Sequence, residues 1–405
     1  MVIVHTPRGG NVERITQAIV LAAGEGQRLK PFTKLMPKVM LPIADKPILQ
    51  YVIEALAENG IRRIVMVVGY RKEYVQDYFG SGQQFGVEID YAAQPQQLGV
   101  AHALKQARHL ADDRFFVIAG DNMIERDTIA PLINASPNAM LIRSRENSPR
   151  YKTVIVQDGR VKDIGVDSAK APGSPIDIGA YAFTKDVFNF IGDDVSMRSV
   201  IQKMIKQGLQ ITAVETSGFW QDAVYPWDIL KLNDMILSKT ALSLGGTIEE
   251  GSRIKGKVSI GDGTVIRSNC YIVGPVVIGE DCEIGPNACI FPSTSIGNNV
   301  VISPFSVIGN TSIGNNVSIG PNASVQDSII APGTSIGGHF AARSGEADIT
   351  IEGEHHQVKM GAIMGSYSQI GEGVVVEPGT MVGNNCRIKS MKTLTESIPD
   401  GALVV

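Results

Sequence analysis

From residue 248 onward, isoleucine recurs at 248, 254, 260, 266, 272, 278, 284, 290, 296, 302 and 308, every sixth position without a gap. A one-residue shortening moves the ladder to Ile313, Ile319 and Val325, and a second moves it to Ile330 and Ile336. Neither the α-helix, with its 3.6-residue period, nor a strand with alternating faces has this spacing. Isoleucine at a buried position, with Gly, Asn or Pro at the corners (Ile260-Gly261, Ile278-Gly279, Ile284-Gly285), predicts a parallel β-helix with three hexapeptides to each triangular coil. Residues 338–365 break the ladder and are expected to form a loop or hairpin. The ladder resumes at Ile370, Val376, Val382 and Ile388, with a short helix or tail to Val405.

The first half has a different texture. Short apolar runs at 18–21, 64–68, 87–93 and 115–119 read as buried strands, and helices are expected at 45–56, opened by Asp45-Lys46-Pro47, and at 73–79. Alternating strands and helices predict a Rossmann-like, doubly wound α/β sheet with right-handed crossovers. Further strands are expected at 141–144, 151–156, 161–166 and 209–214, with Asp158-Gly159 as a hairpin turn and helices at 199–207 and 226–238. The resulting division is an extension at 1–15, an α/β domain at 16–240 and a left-handed β-helix at 241–405. Such sheets bind ligands beyond the carboxyl ends of their strands, so candidate chemistry sits just after each apolar run.

The first exit is Leu21-Ala22-Ala23-Gly24-Glu25-Gly26, followed by Arg28, Lys30, Lys34 and Lys38. A buried strand that delivers a glycine turn and several cations suits a polyphosphate held on backbone N–H groups. A dinucleotide fingerprint would need Gly where Leu29 stands, and no P-loop Gly-Lys-Ser/Thr is present. Gly-x-Gly-x-Arg-Leu with Pro37-Lys38 and Leu41-Pro42-Ile43 resembles the signature of the sugar-1-phosphate nucleotidylyltransferases, the pyrophosphorylases that make nucleotide sugars. That resemblance implies nucleotide contacts from Leu21, Ala23, Gly24 and Gly26, with Arg28 and Lys38 as catalytic cations.

Two more exits extend it. Gln94-Pro-Gln-Gln-Leu-Gly99 follows the third strand, and glutamine both donates and accepts, as a base edge requires. The family holds its base here, which implies base contacts from Gln94 and Gly99. Gly120-Asp121 follows the strand at 115–119, and Trp220-Gln221-Asp222 comes about a hundred residues later. In the family the corresponding aspartates hold Mg²⁺, which takes few protein ligands and suits Asp121 and Asp222 with phosphate oxygens. The family's glycine after the second aspartate is Val224 or Tyr225 here, while Pro226-Trp227-Asp228 and Asn233 keep the pattern.

The sugar side departs further. Tyr151-Lys152-Thr153-Val154 stands where Tyr-Gly-Val-Val is usual, and Asp177 replaces the Asn before Ile-Gly179-x-Tyr. The Glu-Lys-Pro after the hairpin is absent, leaving Asp167 and Lys170 to serve by a shifted turn or to be plain surface charge. Tyr151, Lys152, Lys170, Asp177 and Gly179 are the expected sugar-side residues.

Head and tail together resemble the archaeal bifunctional nucleotidylyltransferase/acetyltransferases. The acetyltransferase pattern is broken, since Ala342 follows His339 at the tyrosine position and Ser344-Gly345-Glu346 replaces Gly-Asp-Ser. His339 as base and Lys359 near acetyl-CoA are the residues left for that activity, and a structural, oligomerising tail is the favoured reading. His355-His356 is a further candidate metal pair. The implied reaction joins dTTP or UTP to a sugar-1-phosphate, glucose-1-phosphate favoured, and releases pyrophosphate. The alternatives are a second, acetyl-CoA-dependent activity or an inactive nucleotide-sugar sensor. Related prisms trimerise, so a homotrimer or a dimer of trimers is expected.

Composition narrows the classes without adding a motif. A formal net charge of −4 argues against nucleic acid, and no uncharged apolar run is long enough to span a membrane. The four cysteines, 270, 282, 289 and 386, form no C-x-x-C pair and read as coil-filling thiols of a cytosolic protein.

Overall fold

The computed structural model describes residues 14–144, 151, 153–166, 173–239 and 241–405. Lys152, Asp167 and Lys170 lie outside them. Among the described residues, thirteen strands and six helices precede the repeats: β1 (Gln17–Ala22), β2 (Pro42–Ile43), β3 (Lys46–Pro47), α1 (Ile48–Glu58), β4 (Arg63–Val68), α2 (Lys72–Phe79), β5 (Glu88–Ala93), α3 (Val100–Gln106), β6 (Arg114–Ala119), β7 (Asn122–Ile124), α4 (Arg126–Ile133), β8 (Ala139–Arg143), β9 (Thr153–Gln157), β10 (Arg160–Val166), β11 (Ile176–Thr184), α5 (Met197–Lys206), β12 (Thr212–Glu215), β13 (Trp220–Asp222) and α6 (Pro226–Leu237). The chain separates into two compact units. One comprises Met1–Glu25 with Ile48–Gln221, the other Gly26–Pro47 with Asp222–Val405.

The first unit is built on a nine-stranded sheet of order β5-β4-β1-β6-β11-β8-β12-β10-β9. Strands β5, β4, β1 and β6 are parallel, and β11 runs antiparallel to both β6 and β8, so the doubly wound half continues into a mixed sheet. On β1 every side chain but Leu21 is buried. Ile19, Val65 and Val67 pack with Ala101 and Leu104 of α3, while Ala18, Val20 and Met66, which alternate with them, are buried on the other face. This double burial is why the runs read as continuous apolar stretches. Ser196 caps α5, accepting from the N–H of Ser199. Asp158 and Gly159 both adopt left-handed φ, 52° and 69°, as the two-residue β9–β10 hairpin requires.

In the second unit the repeats form three stacked parallel sheets, and from Ile260 onward the ladder residues are buried in a common core, whereas Ile254 is partly buried and Ile248, on the first coil, is exposed. Coil after coil pairs Ile260 with Ile278, Ile266 with Ile284, and Ile272 with Ile290. Asn269, Asn287, Asn299, Asn316 and Asn322 turn the corners at φ between 56° and 62°, a conformation asparagine tolerates better than other side chains with a β-carbon. Cys270, Cys282 and Cys386 fill the coil as expected, whereas Cys289 is partly exposed; all four are free.

Four local expectations are corrected. Lys46–Pro47 is not a helix opening but a strand that pairs with Pro42–Ile43 around Ala44 (φ 56°), and the helix begins at Ile48. The ladder breaks later and resumes earlier than expected: Ala342 and Met364 both occupy core positions. Between them stands a hairpin, Gly345–Ile351 paired with Glu354–Met360. The C-terminus carries no helix; Leu403–Val404 adds a last strand beside Arg387–Ile388.

One of the three β-helix faces is covered. Its outward residues Val277, Ser295, Ser312, Ile329 and Ile363 are buried, and α6 packs against this sheet. Phe32, Met36 and Leu41 of the Gly26–Pro47 segment line a cavity of about 30 Å³ with Ile229 of α6, Ile329 and Pro332. If the coil core carries this unit, I284A should lower the unfolding free energy by about 2–5 kcal/mol in urea titration. The neighbouring E283A, on an exposed outward position, should change it by no more than about 0.5 kcal/mol.

Candidate active site

In the first unit, β1 lies between β4 and β6, so the connections leaving β1 and β6 depart to opposite sides. Such a switch point opens a crevice at the strand ends. Gly120 closes onto β1, its N–H donating to the Leu21 carbonyl at 2.9 Å. A β-carbon at Gly120 would meet that carbonyl and Leu49 Cδ1 at 3.0 Å each. Leu21 is partly exposed and Ala23 is buried. Gly24 is exposed, and nothing lies within 4 Å of where a β-carbon would sit. Among the described residues no neighbour requires a glycine at Gly24.

Asp121 leaves the end of β6 half-buried. Beside it, Asn122 Nδ2 donates to the Ile178 carbonyl at 2.8 Å, joining the β6 exit to β11. Gly179, at φ 74°, sits in the irregular register of β11, and its N–H donates to Asp177 Oδ1 at 2.9 Å. Tyr181 Oη donates to Asp177 Oδ2 at 2.6 Å. Burial pushes both the Asp177 carboxyl and the Tyr181 hydroxyl above their usual ranges. The structure therefore brings Asp121, Asp177 and Gly179 to one end of the sheet, with Asp177 already committed to local bonds. Tyr151 packs edge-on against Trp220 at 5.1 Å and accepts from Gln221 Nε2.

Gln94 is buried after β5. Its Nε2 donates to the Gly99 carbonyl at 3.1 Å and lies 2.9 Å from His102 Nδ1. Gly99, at φ 113°, has the Val195 carbonyl oxygen only 2.2 Å from where a β-carbon would be.

The second unit holds the cations. Gly26 adopts φ 79°, and a β-carbon there would come within 2.7 Å of Lys38 Cβ. Thr33 Oγ1 donates to the Gly26 carbonyl at 2.7 Å, so the turn carrying Arg28 folds back on the turn carrying Lys38. Arg28 is exposed, and its Nε donates to Glu352 Oε2 at 2.8 Å. That bond holds its guanidinium pKa above the usual value. Asp222, half-buried, ends β13. In the loop beyond it the N–H groups of Val224 and Tyr225 both donate to Asp228 Oδ2 at 2.8 Å. Tyr225 has φ −122°, so this path needs no glycine. Asn233 accepts from the Ala44 N–H and donates to the Ser293 carbonyl, both at 3.0 Å.

His339 and Lys359 stand on different elements. His339 is an exposed corner residue whose N–H donates to Pro321, before the strand Ala341–Ala342. Lys359 lies on the hairpin that leaves the coil after that strand, opposite Glu346. His355 and His356 alternate across the hairpin, His355 beside Thr350 and His356 against Tyr225, so they form no metal pair. Among the described residues no group of three or more His, Cys, Asp or Glu is arranged to hold a metal.

The Nucleotidyl transferase family matches residues 17–239, and the GMPPB C-terminal domain matches residues 272–366. The chain belongs to the Nucleotidyl transferase family. A low-salt glycan biosynthesis nucleotidyltransferase, Agl11, of Haloferax volcanii is 29% identical over 261 residues, 61% of this chain and 73% of that protein. The bifunctional protein GlmU of Methanocaldococcus jannaschii is 33% identical over 254 residues, 60% of each chain, so less than two thirds of that relative is spanned. A glucose-1-phosphate thymidylyltransferase of Streptomyces griseus is 29% identical over 257 residues, 60% of this chain and 72% of that one. Among solved structures, a candidate glucose-1-phosphate thymidylyltransferase of Bacillus anthracis superposes with a TM-score of 0.50 at 28% identity, over 54% of this chain and 94% of that one.

The two turn glycines make a direct comparison. G24A should leave the thermal midpoint unchanged within about 2 °C, because its β-carbon enters open space. G99A should destabilise by about 1–3 kcal/mol in chemical denaturation, since it meets a carbonyl and a left-handed φ together.

Proposed function

We propose that this nucleotidyltransferase joins an NTP to a sugar-1-phosphate, releasing pyrophosphate, with dTTP or UTP and glucose-1-phosphate as the favoured pair. The family match over residues 17–239 carries the reading, and the names of the Streptomyces and Bacillus relatives support the sugar. A phosphate oxygen of the sugar-1-phosphate attacks the α-phosphorus in line, a new P–O bond forms, and the bond to the β-phosphate oxygen breaks. A phosphate monoester dianion is already nucleophilic, so no general base is required. What the protein contributes is alignment and charge neutralisation.

Arg28 binds the β- and γ-phosphates and the charge that develops on the leaving pyrophosphate, its planar fork suiting two oxygens. Lys38 bridges the α-phosphate and the sugar phosphate. Gly24 gives the phosphates access to backbone N–H groups, consistent with the open space around it. Gln94 donates a side-chain N–H to the Gly99 carbonyl, and an amide can offer both a donor and an acceptor to a base edge. Asp121 and Asp222 are the carboxylates that would hold Mg²⁺, and a two-carboxylate set suits an ion completing its shell with phosphate oxygens and water. When bound, the ion neutralises and orients the α-phosphate. Gly179 and Tyr151 serve the sugar side, with Asp177 held by Tyr181 as their support. Assembly as a homotrimer through the β-helix belongs to the same reading, and light scattering should give three chains per particle.

Pyrophosphate release measured with Mg²⁺, across dTTP, UTP and CTP against glucose-1-phosphate, N-acetylglucosamine-1-phosphate and glucosamine-1-phosphate, is the test. Turnover should be highest with dTTP or UTP and glucose-1-phosphate. R28A and D222A should each lower kcat/KM by about 10²–10³-fold. Near-full activity in both would overturn the mechanism, and silence of the parent chain on every pair would overturn the activity.

A further inference from the structure

Two departures from the regular pattern meet at one side chain. The first is the hairpin that interrupts the isoleucine ladder. The second is Tyr225, in the loop where the family signature has glycine. The tip of the hairpin is Glu352-Gly353, at φ 51° and 83°. Asn or Asp normally precedes Gly in such a turn, because a longer side chain is strained in the left-handed conformation. The stem is fixed: Ala347 and Ile349 are buried, and both crowd the backbone at Gly379. On the same face His356 packs against the rings of Tyr225 and Trp227 at 4.3 and 5.1 Å, and those two rings stack at 4.9 Å. A rigid stem thus delivers Glu352 to Arg28 Nε at 2.8 Å and Glu354 to within 3.9 Å of Arg28 Nη2. Tyr225 Oη donates to Glu354, and its ring lies 5.8 Å from the guanidinium carbon.

We infer that this hairpin is an intramolecular latch on Arg28, whose carboxylates Glu352 and Glu354 compete with the phosphates of an incoming nucleotide for the guanidinium. The inference rests on the reading of Arg28 as a phosphate-binding residue. The two glutamates lie along the Nε/Nη2 edge, one of the two edges on which a guanidinium can bind an anion bidentately. They change the local balance from one positive charge to one negative, which opposes a polyphosphate. All three side chains are between 42% and 54% exposed, so the pairs are screened and exchangeable rather than locked. Tyr225 holds Glu354 in place, its hydrogen bond and then the charge of Arg28 keeping that carboxyl below its usual range.

The test measures the KM for NTP, at saturating sugar-1-phosphate, and the Kd for NTP by calorimetry, in the full chain and in E352Q, E354Q and the double variant. Glutamine keeps the shape and removes the charge. The double variant should bind NTP about two- to fivefold more tightly, with a KM lowered to match and kcat no lower than that of the parent. In an R28A background the same pair of substitutions should have no effect. A raised KM, or an unchanged Kd in a chain whose affinity R28A does weaken, would overturn the latch. An R28A chain that binds NTP as tightly as the parent would instead overturn the phosphate role of Arg28 beneath it.

Discussion

The structure depends on one allegiance: the cationic turn belongs to the β-helix. Residues Gly26–Pro47 leave the first unit immediately after the glycine turn and pack with the repeats. Four hooks hold them there. Asn384 Nδ2 donates to the Pro31 carbonyl at 2.9 Å, Lys34 pairs with Asp400 at 2.7 Å, Asn233 takes the Ala44 N–H, and Arg28 pairs with Glu352. Beneath them, Phe32 and Leu41 sit against the one β-helix face whose outward residues are buried. The other two faces present residues such as Glu283, Ser324 and Arg387 to solvent. Under the proposed mechanism, a repeat domain that carries Arg28 and Lys38 is a scaffold for the side chains assigned to the phosphates, and its coil geometry sets how precisely they are held.

Glycine has different roles at neighbouring positions of the turn. Gly26 is required by its own fold, with a left-handed φ and Lys38 Cβ where a side chain would begin. Gly24 has no such neighbour among the described residues, which fits the phosphate-binding role proposed for it. The same contrast separates Gly99, crowded by Val195, from an open binding position. Motif glycines are therefore divided by what a β-carbon would strike, a distinction that spacing alone does not make.

The regular parts of the fold are legible because their periods are local. A six-residue isoleucine ladder has no other structural solution, and strands buried on both faces are bound to be unbroken apolar runs. Asp121 and Asp222 stand out at strand ends for the same reason. What escapes a reading of the sequence depends on distant pairing. Lys46–Pro47 joins Pro42–Ile43 instead of opening a helix because Ala44 turns the chain back, and Leu403–Val404 becomes a strand because the last coil offers an edge. Glu352 and Glu354 carry no motif, and nothing local ties them to a turn more than three hundred residues earlier. Their only signal is the break in the ladder. Tyr225 is visible as a departure from the family pattern, and its meaning emerges only once the hairpin is seen beside it.

Two carboxylate pairs show how exposure sets what such contacts can do. Asp177 is half-buried, bonded to Tyr181 Oη and the Gly179 N–H, and its surroundings raise its pKa. Breaking that pair would leave the hydroxyl of the buried Tyr181 without this partner, so it fixes the backbone of β11 and is not exchanged. Glu352 stands on a hairpin tip in solvent, where water replaces Arg28 at small cost. A contact meant to yield to a ligand has to be of this second kind, because a buried pair would hold Arg28 against any phosphate. One face of the stem is packed and the tip is exposed, which gives the latch a fixed place and a weak grip.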